Sequence, residues 1–219
     1  YWASEYHIDG FRFDLMGLHD CDTMNQIRYA LDEINPQILM YGEAWDLKTA
    51  CDDGTVLATQ ANMDKLDNRI GAFDDTVRDA IKGNTFDATD KGFLASGKKT
   101  GNIKIGLSGE CVNGWASAPT QSVVYSSCHD NYTLYDKLVS SLYPDEKDFR
   151  KRHANLVEMT KLNAATIFSA QGMTFFLAGE EFCRSKDGDE NSFKSSATLN
   201  MIDWESVNNY SDVVEYYKG

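Results

Sequence analysis

The segment HIDGFRFDLMG, residues 7–17, decides the fold, because it combines the pattern of a buried strand with a charged pair. Its apolar side chains are those of Ile8, Phe11, Phe13 and Leu15. We interpret residues 9–15 as a β-strand that these side chains bury. Arg12 and Asp14 are two residues apart, so both side chains lie on the same face of the strand. A buried carboxylate costs free energy unless it is paired, and Arg12 is the nearest partner.

The residues that follow predict a strand–helix–strand unit. The sequence CDTMNQIRYALDEINP, residues 21–36, predicts a helix that Asp22 or Thr23 caps. Apolar residues recur in it at helical spacing: Met24, Ile27, Leu31 and Ile34. A short apolar strand over residues 38–41 then leads towards Glu43. Two strands joined by a helix within about 35 residues indicate a βαβ unit with parallel strands.

The same alternation returns after an irregular region, residues 47–124, which has a loop-rich part at 91–120. The other predicted elements are a strand or turn at 70–73, a helix at 76–82, a strand at 122–126, a long amphipathic helix at 149–168, a buried strand at 173–177, a polar loop at 184–198 and a helix at 213–217. The predicted apolar face of the long helix carries Leu156, Met159, Leu162, Ala165 and Ile167. No repeat or domain boundary is visible, so we expect one α/β domain over residues 1–219.

The composition excludes some partner classes. The chain has 219 residues, 34 of them acidic and 21 basic, and a net charge of −13. This charge argues against a nucleic-acid partner and against binding to an anionic membrane, whereas a neutral ligand such as a sugar is compatible with it. The five cysteines form no CxxC pair, which predicts buried or half-buried free thiols.

Several predicted strands share one feature, an acidic residue at the C-terminal end. These residues are Asp14, Glu43, Asp130 and Glu180. Ligand sites of α/β barrels are built where strands end and the following loops begin, so we expect such side chains to converge. Two simpler explanations stay open, namely solvated surface acids and a structural ion pair between Arg12 and Asp14.

Paired carboxylates of this kind suit glycoside hydrolysis, which needs one ionised nucleophile and one protonated acid. Asp14 and Glu43 on adjacent strands, about 4.8 Å apart, can reach the roughly 5–5.5 Å carboxyl separation of retaining enzymes. His129 is a candidate for binding a sugar hydroxyl, or a core histidine. Trp45 and Tyr132 offer flat faces for sugar stacking, and either is equally compatible with core or rim packing.

The remaining motifs predict no metal site and no cofactor. KDGDENSF places Asp187, Asp189 and Asn191 at the first, third and fifth positions of a calcium loop. Ser192 stands where glycine is required and Thr198 where glutamate is required, so a polar loop is the better interpretation. No nucleophile elbow or glycine-rich phosphate loop is present. A structural calcium ion elsewhere in a longer protein stays open.

Four sequence blocks together resemble one enzyme family. GFRFDLMG, YGEAWD and YSSCHDN, in this order, resemble the second, third and fourth conserved regions of the α-amylase superfamily of (β/α)8-barrel glycoside hydrolases. The longer blocks HIDGFRFDLMGLHD, SSCHDNYTLYDKL and FLAGEEFCRSKDGDENSF are similar to type I pullulanases, debranching enzymes that cut α-1,6-glucosidic bonds. The resemblance covers nearly the whole chain.

The resemblance implies a role for each polar residue of these blocks. Asp14 corresponds to the nucleophile, and Arg12 orients it. Glu43 corresponds to the general acid/base, Asp130 to the residue that stabilises the distorted sugar, and His129 to a hydroxyl-binding residue. The further substrate-binding positions are Trp45, Asn131 and Tyr132. The implied partner is an α-glucan.

One departure from the family pattern concerns completeness. The first conserved region, an Asp-x-x-x-Asn-His block, is missing, as are the first three barrel strands and the β-domain that follows the barrel. The resemblance therefore implies an incomplete (β/α)8 TIM barrel, about strands 4 to 8, with an irregular βα insertion region. We expect such a fragment to expose sheet edges, to fold poorly and to be inactive alone.

Alternative functions stay open. An isoamylase, a glycogen-debranching enzyme or another α-amylase-type hydrolase would share the same residues. A catalytically dead barrel that binds glucan or acts as a scaffold belongs to another class, and the three retained acids argue against it. The sequence leaves open the preferred glucan, a cytoplasmic or secreted location, and the oligomeric state.

Overall fold

The computed structural model describes residues 1–49 and 54–219, and a parallel β-sheet organises this part of the chain. Its strands are β1 (Gly10–Phe13), β2 (Leu39–Gly42), β3 (Ile70–Phe73), β4 (Ser122–Val124) and β5 (Met173–Thr174), in that spatial order. Strands β1 to β4 pair in parallel with their neighbours. The predicted α/β class with parallel strands is therefore confirmed.

Helices connect the strands. The α-helices are α1 (Trp2–Tyr6), α2 (Cys21–Asp32), α3 (Asp75–Lys82), α4 (Phe93–Ser96), α5 (Thr100–Leu107), α6 (Leu134–Leu142), α7 (Ala154–Phe168), α8 (Ala197–Asn200), α9 (Ser206–Asn209) and α10 (Ser211–Lys218). Short 3₁₀ turns lie at Met16–Leu18, Gln60–Lys65, Pro119–Gln121, Glu180–Phe182 and Ser192–Lys194. Residues 91–120 contain short helical pieces within loops, as predicted.

The described residues form two compact units. The first consists of Tyr1–Asp74, Ile105–Val124 and Ala170–Met173. The second consists of Asp75–Lys104, Tyr125–Ser169 and Thr174–Gly219. Strands β1 to β4 and helix α2 therefore lie in the first unit, whereas α3, α4 and α6 to α10 lie in the second.

Helix α2 and the first strands build the core of the first unit. Its fully buried side chains include Met16, Met24, Met40, Met63 and Ile70. Asp20 caps α2, because its Oδ1 accepts the amide hydrogen of Thr23 at an N···O distance of 2.7 Å. The predicted caps were wrong, since the helix begins at Cys21, ahead of them. Ile34 is exposed because it lies beyond the last helical turn.

Helix α7 packs in the second unit with a buried face that differs in part from the predicted one. The helix begins at Ala154, and its buried stripe includes Leu156, Val157, Thr160, Asn163, Ala164 and Ile167. Thr160 donates its hydroxyl to the Leu156 carbonyl at 2.9 Å, and Asn163 also has a buried partner. Satisfied polar residues thus occupy core positions, while Leu162 is exposed. The prediction was right for Leu156 and Ile167, which are buried, and wrong for Leu162, while Met159 and Ala165 are partly exposed.

Helix α6, Leu134–Leu142, lies where no element was predicted. Thr133 caps it, because its hydroxyl oxygen accepts the amide hydrogen of Asp136 at 3.1 Å. A threonine followed three residues later by an acid is a sequence signal for a helix start. The helix matters for the site because it begins directly after residues 129–132.

Two predicted buried strands are less buried than expected. All four residues of β1 are partly exposed, and Ile8 and Leu15 beside it are exposed. Strand β5 covers only Met173–Thr174 of the predicted 173–177, and Phe176 is exposed. β1 and β5 are the two edges of the sheet in this part of the chain, which explains their exposure.

The cysteines of the described residues are free thiols, and they differ in exposure. Cys21 and Cys183 are buried and Cys128 is half-buried, as predicted, but Cys111 is exposed because it lies in a surface turn. Cys51 lies outside the described residues. Within the described ranges, no helix is long and apolar enough to cross a membrane.

Candidate active site

The register of the first two strands brings Asp14 and Glu43 to neighbouring strand ends. Phe13 is paired with Gly42, the last residues of β1 and β2. The amide of Glu43 donates to the Phe13 carbonyl at 3.0 Å, which extends the ladder by one step. The acids that follow these two strands therefore emerge side by side, at the carboxyl ends where α/β folds place their sites.

Arg12 joins the two carboxylates. Its Nη2 donates to Glu43 Oε1 at 2.7 Å, and its Nη1 forms an ion pair with Asp14. The guanidinium also lies over the ring of Phe73, with Cζ 5.5 Å from the ring centroid. An arginine suits this role because its planar fork presents several N–H donors in fixed directions.

Glu43 accepts hydrogen bonds through both carboxylate oxygens. Oε1 accepts from Arg12, and Oε2 accepts from the backbone amide of Leu15 at 2.9 Å. Leu15 has a φ of 49°, in the left-handed region that L residues rarely adopt. This conformation directs its amide towards Glu43, so local backbone strain is part of how the carboxylate is held.

The two acids differ in exposure, in a way that the sequence pattern did not indicate. The side chain of Asp14 is 71% exposed, whereas that of Glu43 is 13% exposed. The expectation that Asp14 is a buried carboxylate was wrong, because β1 ends at Phe13 and Asp14 lies in the turn that follows, with its side chain towards solvent. The Glu43 carboxylate is the less exposed of the two, because the Arg12 guanidinium and the Leu15 backbone amide both bind to it.

Two glycines make this close packing possible. A Cβ on Gly42 would lie 2.6 Å from the Phe13 carbonyl oxygen, and one on Gly17 would lie 2.1 Å from the Trp45 carbonyl oxygen. The amide of Gly17 donates to the Glu43 carbonyl at 2.9 Å, so the turn after β1 packs on the segment after β2. The sequence analysis did not single out these glycines, because the clash that a Cβ would cause depends on how the two segments pack.

His129, Asp130, Asn131 and Tyr132 lie in the second unit, between β4 and α6. His129 Nε2 is 3.6 Å from Asp130 Oδ2, and His129 Nδ1 is 3.3 Å from the Cys128 sulfur. Both side chains are exposed, so His129 is not a core histidine. Asn131 has a φ of 62°, the same left-handed conformation that follows Asp14.

The aromatic candidates are both partly buried. Trp45 follows Glu43 by two residues in the first unit, and it is close to Gly17 through its backbone. Burial raises the pKa of the Tyr132 hydroxyl, and the nearby Glu190 carboxylate acts in the same direction. The structure thus groups Arg12, Asp14, Glu43 and Trp45 in one unit and the residues 129–132 in the other.

Glu180, which also follows a strand, is a buried structural carboxyl rather than an exposed site group. It accepts hydrogen bonds from the hydroxyls of Ser127 at 2.5 Å, Ser126 at 3.1 Å and Tyr217 at 3.1 Å. The Asn163 amide donates to it at 2.8 Å. Burial raises its pKa to about 7, although these donors oppose the shift. Glu180 therefore holds Ser126 and Ser127, the serines shortly before His129, by hydrogen bonds.

The acidic loop that resembled a calcium motif is satisfied by protein groups. Asp187 pairs with Arg150, with Oδ1 2.7 Å from Nε. Asp189 accepts from the Asn191 amide at 2.8 Å and from the Ser195 hydroxyl at 2.5 Å. Over residues 1–49 and 54–219, no group of three or more His, Cys, Asp or Glu residues is arranged to hold a metal ion.

Residues from one end of this chain to the other align with part of known pullulanases. It is 39% identical to the pullulanase of Bacillus subtilis over 225 residues, an alignment that covers 100% of this chain and 30% of that protein. It is 29% identical to the pullulanase of Klebsiella aerogenes, with 96% of this chain covered and 22% of the relative. A weaker similarity, 26% identity over 99% of this chain, links it to a glycogen operon protein homologue of Mycobacterium bovis. No protein-family model matches the chain.

Solved pullulanase structures share its fold. A mutant of the Paenibacillus barengoltzii enzyme complexed with maltotetraose superimposes with a TM-score of 0.90 and 42% identity, over 99% of this chain and 33% of that one. The type I pullulanase of Bacillus subtilis complexed with maltose gives a TM-score of 0.88 and 37% identity, over 100% of this chain and 30% of that one. Pullulanases are thus homologues of this chain, which spans about a third of their length.

Proposed function

We propose that this pullulanase homologue is part of the catalytic (β/α)8 barrel of a debranching glycoside hydrolase, and that its five strands correspond to barrel strands 4 to 8. The proposed reaction is retaining cleavage of α-1,6-glucosidic bonds in pullulan, starch or glycogen-derived glucans. One observation carries the proposal: Arg12 joins two carboxylates, Asp14 and Glu43, at the ends of adjacent parallel strands.

Asp14 is the proposed nucleophile. Its carboxylate is exposed, so it is accessible to a sugar carbon, and Arg12 supplies the positive charge that favours its ionised form. In the first step, a carboxylate oxygen bonds to the anomeric carbon while the glycosidic oxygen leaves. The leaving oxygen takes a proton from Glu43, and a covalent glycosyl-enzyme on Asp14 results.

Glu43 is the proposed general acid/base. Its side chain is 13% exposed and shares the Arg12 guanidinium with Asp14, which places the two carboxylates side by side. Both of its oxygens accept hydrogen bonds here, which is the arrangement of the general base in the second step. In that step Glu43 takes a proton from water, the hydroxide oxygen attacks the anomeric carbon, and the Asp14 carboxylate leaves.

The residues of the second unit have proposed roles in binding sugar. Asp130 stabilises the distorted ring at the transition state, and His129 donates to its hydroxyls; their exposure makes both accessible. Asn131 and Tyr132 are proposed to contact substrate as well. In the first unit, Trp45 lies two residues after Glu43 and is proposed to line the side of the leaving sugar.

The proposed substrate class is supported by the relatives. The similar solved structures include complexes with maltotetraose, with maltose, and with maltohexaose and α-cyclodextrin. The similarity to the glycogen operon protein favours glycogen debranching as the second candidate. Both reactions cleave α-1,6 bonds, so the preferred substrate, pullulan or glycogen, separates the two candidates.

The test uses the full-length parent protein that contains this chain. Pullulan consists of maltotriose units joined by α-1,6 bonds, so the proposed activity releases maltotriose from it. We expect release from pullulan to be faster than from glycogen, and to be lost in the Asp14→Asn variant, which keeps the shape but not the charge. Absence of maltotriose release by the wild-type protein would contradict the proposed function.

A further inference from the structure

Residues 184–198 form the polar loop that no proposed role explains, and one of its lysines is buried. Lys186 is 4% exposed, in a loop whose other lysine, Lys194, is exposed. A buried ammonium is costly unless its hydrogens are satisfied, so such a residue has specific partners. All residues of this loop, and all the partners named below, lie in the second unit.

The Lys186 ammonium contacts the turn that carries His129 and Asp130. Its Nζ donates to the backbone carbonyl of His129 at 2.9 Å and to the Ser192 hydroxyl at 2.7 Å. Ser192 in turn donates to Asn200 Oδ1 at 3.0 Å, which ties the hydroxyl to the last residue of α8. The lysine therefore fixes the backbone at the start of the turn 129–132.

The backbone of Lys186 fixes the other end of this turn. Its amide donates to Asp136 Oδ2 at 2.7 Å. Asp136 lies in the first turn of α6, where its own amide donates to the Thr133 hydroxyl. Lys186 therefore contacts the chain at both ends of the turn. Its side chain binds the His129 carbonyl, and its backbone amide binds the Asp136 carboxylate.

The turn needs such support because residues 129–132 belong to no helix or strand, so no regular backbone ladder holds them. Asn131 has a φ of 62°, in the left-handed region that asparagine tolerates better than most L residues. Asp130 and His129 are exposed, so their own side-chain packing contributes little to fixing them. The fixed points are therefore the backbone contacts at either end.

The charges around Lys186 fit this role. Burial lowers its pKa and the Arg184 guanidinium acts in the same direction, while the carboxylates of Asp130, Asp189 and Asp136 oppose the shift. These carboxylates favour the charged form of the lysine and so offset part of the cost of burying it. This arrangement links the acidic loop to Asp130 by charge as well as by hydrogen bonds.

We propose that Lys186 is a positioning residue, which holds the His129–Asp130 turn in the geometry that sugar binding requires. The proposal rests on the proposed function for the roles of His129 and Asp130. The contacts themselves do not depend on it, so the two ideas can fail separately.

The first test measures hydrogen exchange in the full-length parent protein. Lys186→Met removes the ammonium and keeps the length of the side chain, and Lys194→Met is the matched control on the same loop. We expect amides in peptides covering residues 127–136 to exchange about tenfold faster in Lys186→Met and to be unchanged in Lys194→Met. Unchanged exchange in Lys186→Met would overturn the proposal, whether or not the protein hydrolyses glucans.

The second test asks whether Lys186 acts through Asp130. Loss of positioning is expected to lower kcat on pullulan by about 10- to 100-fold, with a smaller effect on KM. In an Asp130→Asn background the same lysine substitution is expected to cost less than about threefold, because coupled residues are non-additive. Equal losses in both backgrounds would show that the lysine acts elsewhere, and would overturn the proposal.

A milder variant covers the case in which Lys186→Met does not fold. Ser192→Ala removes one of the two ammonium partners and leaves the lysine on the His129 carbonyl. We expect faster exchange of residues 127–136 in this variant, by a smaller factor than for loss of the lysine. No change in exchange there, with a folded protein, would count against the proposal. A wild-type protein without glucan hydrolysis would contradict the proposed function, and the exchange result would still decide the role of Lys186.

Discussion

Arg12 Nη2 lies 2.7 Å from Glu43 Oε1, across the β1–β2 strand pair. The same guanidinium pairs with Asp14, so a single arginine holds the two carboxylates that the proposed mechanism uses. The arrangement depends on the strand register, since Phe13 and Gly42 are paired directly before the two acids. Shared contact with one cation sets the relative position of the acids, and the first prediction follows from it.

Arg12→Met is expected to lower kcat on pullulan by at least about 100-fold in the full-length parent, because Asp14 and Glu43 lose the shared donor that sets their relative position. Arg69→Met is the matched control. Arg69 also joins two acids of the first unit, with 2.7 Å to Asp32 and 3.0 Å to Asp67, but no proposed site residue. We expect Arg69→Met to keep near-normal kcat. Similar kcat losses in both variants would contradict the assigned role of Arg12.

Glu43→Gln is expected to slow hydrolysis of pullulan far more than hydrolysis of a glucoside with an activated leaving group. The amide can keep the contact with the Leu15 backbone through its oxygen, but it cannot donate a proton to a poor leaving group. Steady-state rates on the two substrates measure the difference. Asp46→Asn, an exposed acid paired with Lys48, is the control and should leave both rates unchanged. Equal slowing on both substrates by Glu43→Gln would argue against a general acid.

Gly42→Ala is expected to lower the thermal midpoint of the parent protein and its activity together. The added Cβ would lie 2.6 Å from the Phe13 carbonyl oxygen and 2.9 Å from Met16 Cβ, so the strand pair must shift, at a cost of roughly 1–3 kcal/mol. Gly101→Ala, in α5, is the control, since nothing lies within 4 Å of the new Cβ. That change should leave the midpoint unchanged or raise it slightly, because alanine favours a helix. A stable and fully active Gly42→Ala variant would show that close packing there is unnecessary.

The buried carboxyl of Glu180 predicts a pH dependence of stability. Burial raises its folded-state pKa from 4.5 to about 7, so the unfolded chain releases the proton first as pH rises. The contribution of Glu180 to stability is therefore expected to fall between about pH 4.5 and pH 7, by an amount on the order of 3 kcal/mol, with no further loss from this group above pH 7. Lys82, also buried, has its pKa lowered to about 7, mainly by burial, so its effect on stability lies above that pH.

Thermal midpoints across pH 4.5–7 test this expectation. Glu180→Gln keeps hydrogen-bonding capacity towards Ser126, Ser127 and Tyr217 but cannot ionise, so the slope of the midpoint in this window should flatten. Glu158→Gln, an exposed acid paired with Lys161, is the control and should leave the slope unchanged. An unchanged slope in Glu180→Gln would mean that Glu180 does not titrate in this range.

The strand ends were predictable from sequence because two independent signals coincide there. Apolar runs marked the strands, and an acid directly after each run marked Asp14 and Glu43, whose adjacency the parallel pairing then confirmed. The βαβ unit also followed from its helical spacing and its short connections. Local patterns therefore sufficed for the sheet order of β1 and β2.

What the sequence did not reveal depends on contacts between distant residues. Arg28 is fully buried on α2 because its Nη1 donates to the Ile38 carbonyl at 2.5 Å, a partner ten residues away. Asn163 is buried on α7 because it donates to Glu180. A hydrophobicity pattern treats both as surface residues. The exposure of Asp14 was equally hidden, since the same residues predict a buried ion pair or an open strand end.

The most direct test of the central claim is to trap the covalent intermediate in the full-length parent protein. A fluorinated α-glucosyl fluoride, which forms a glycosyl-enzyme that turns over slowly, is incubated with the wild type and with Asp14→Asn, and peptides are examined by mass spectrometry. The predicted result is one glycosylated peptide, with the sugar on Asp14, that is absent from the variant. A sugar on another carboxylate, or active turnover that inverts the anomeric configuration and forms no adduct, would contradict the account.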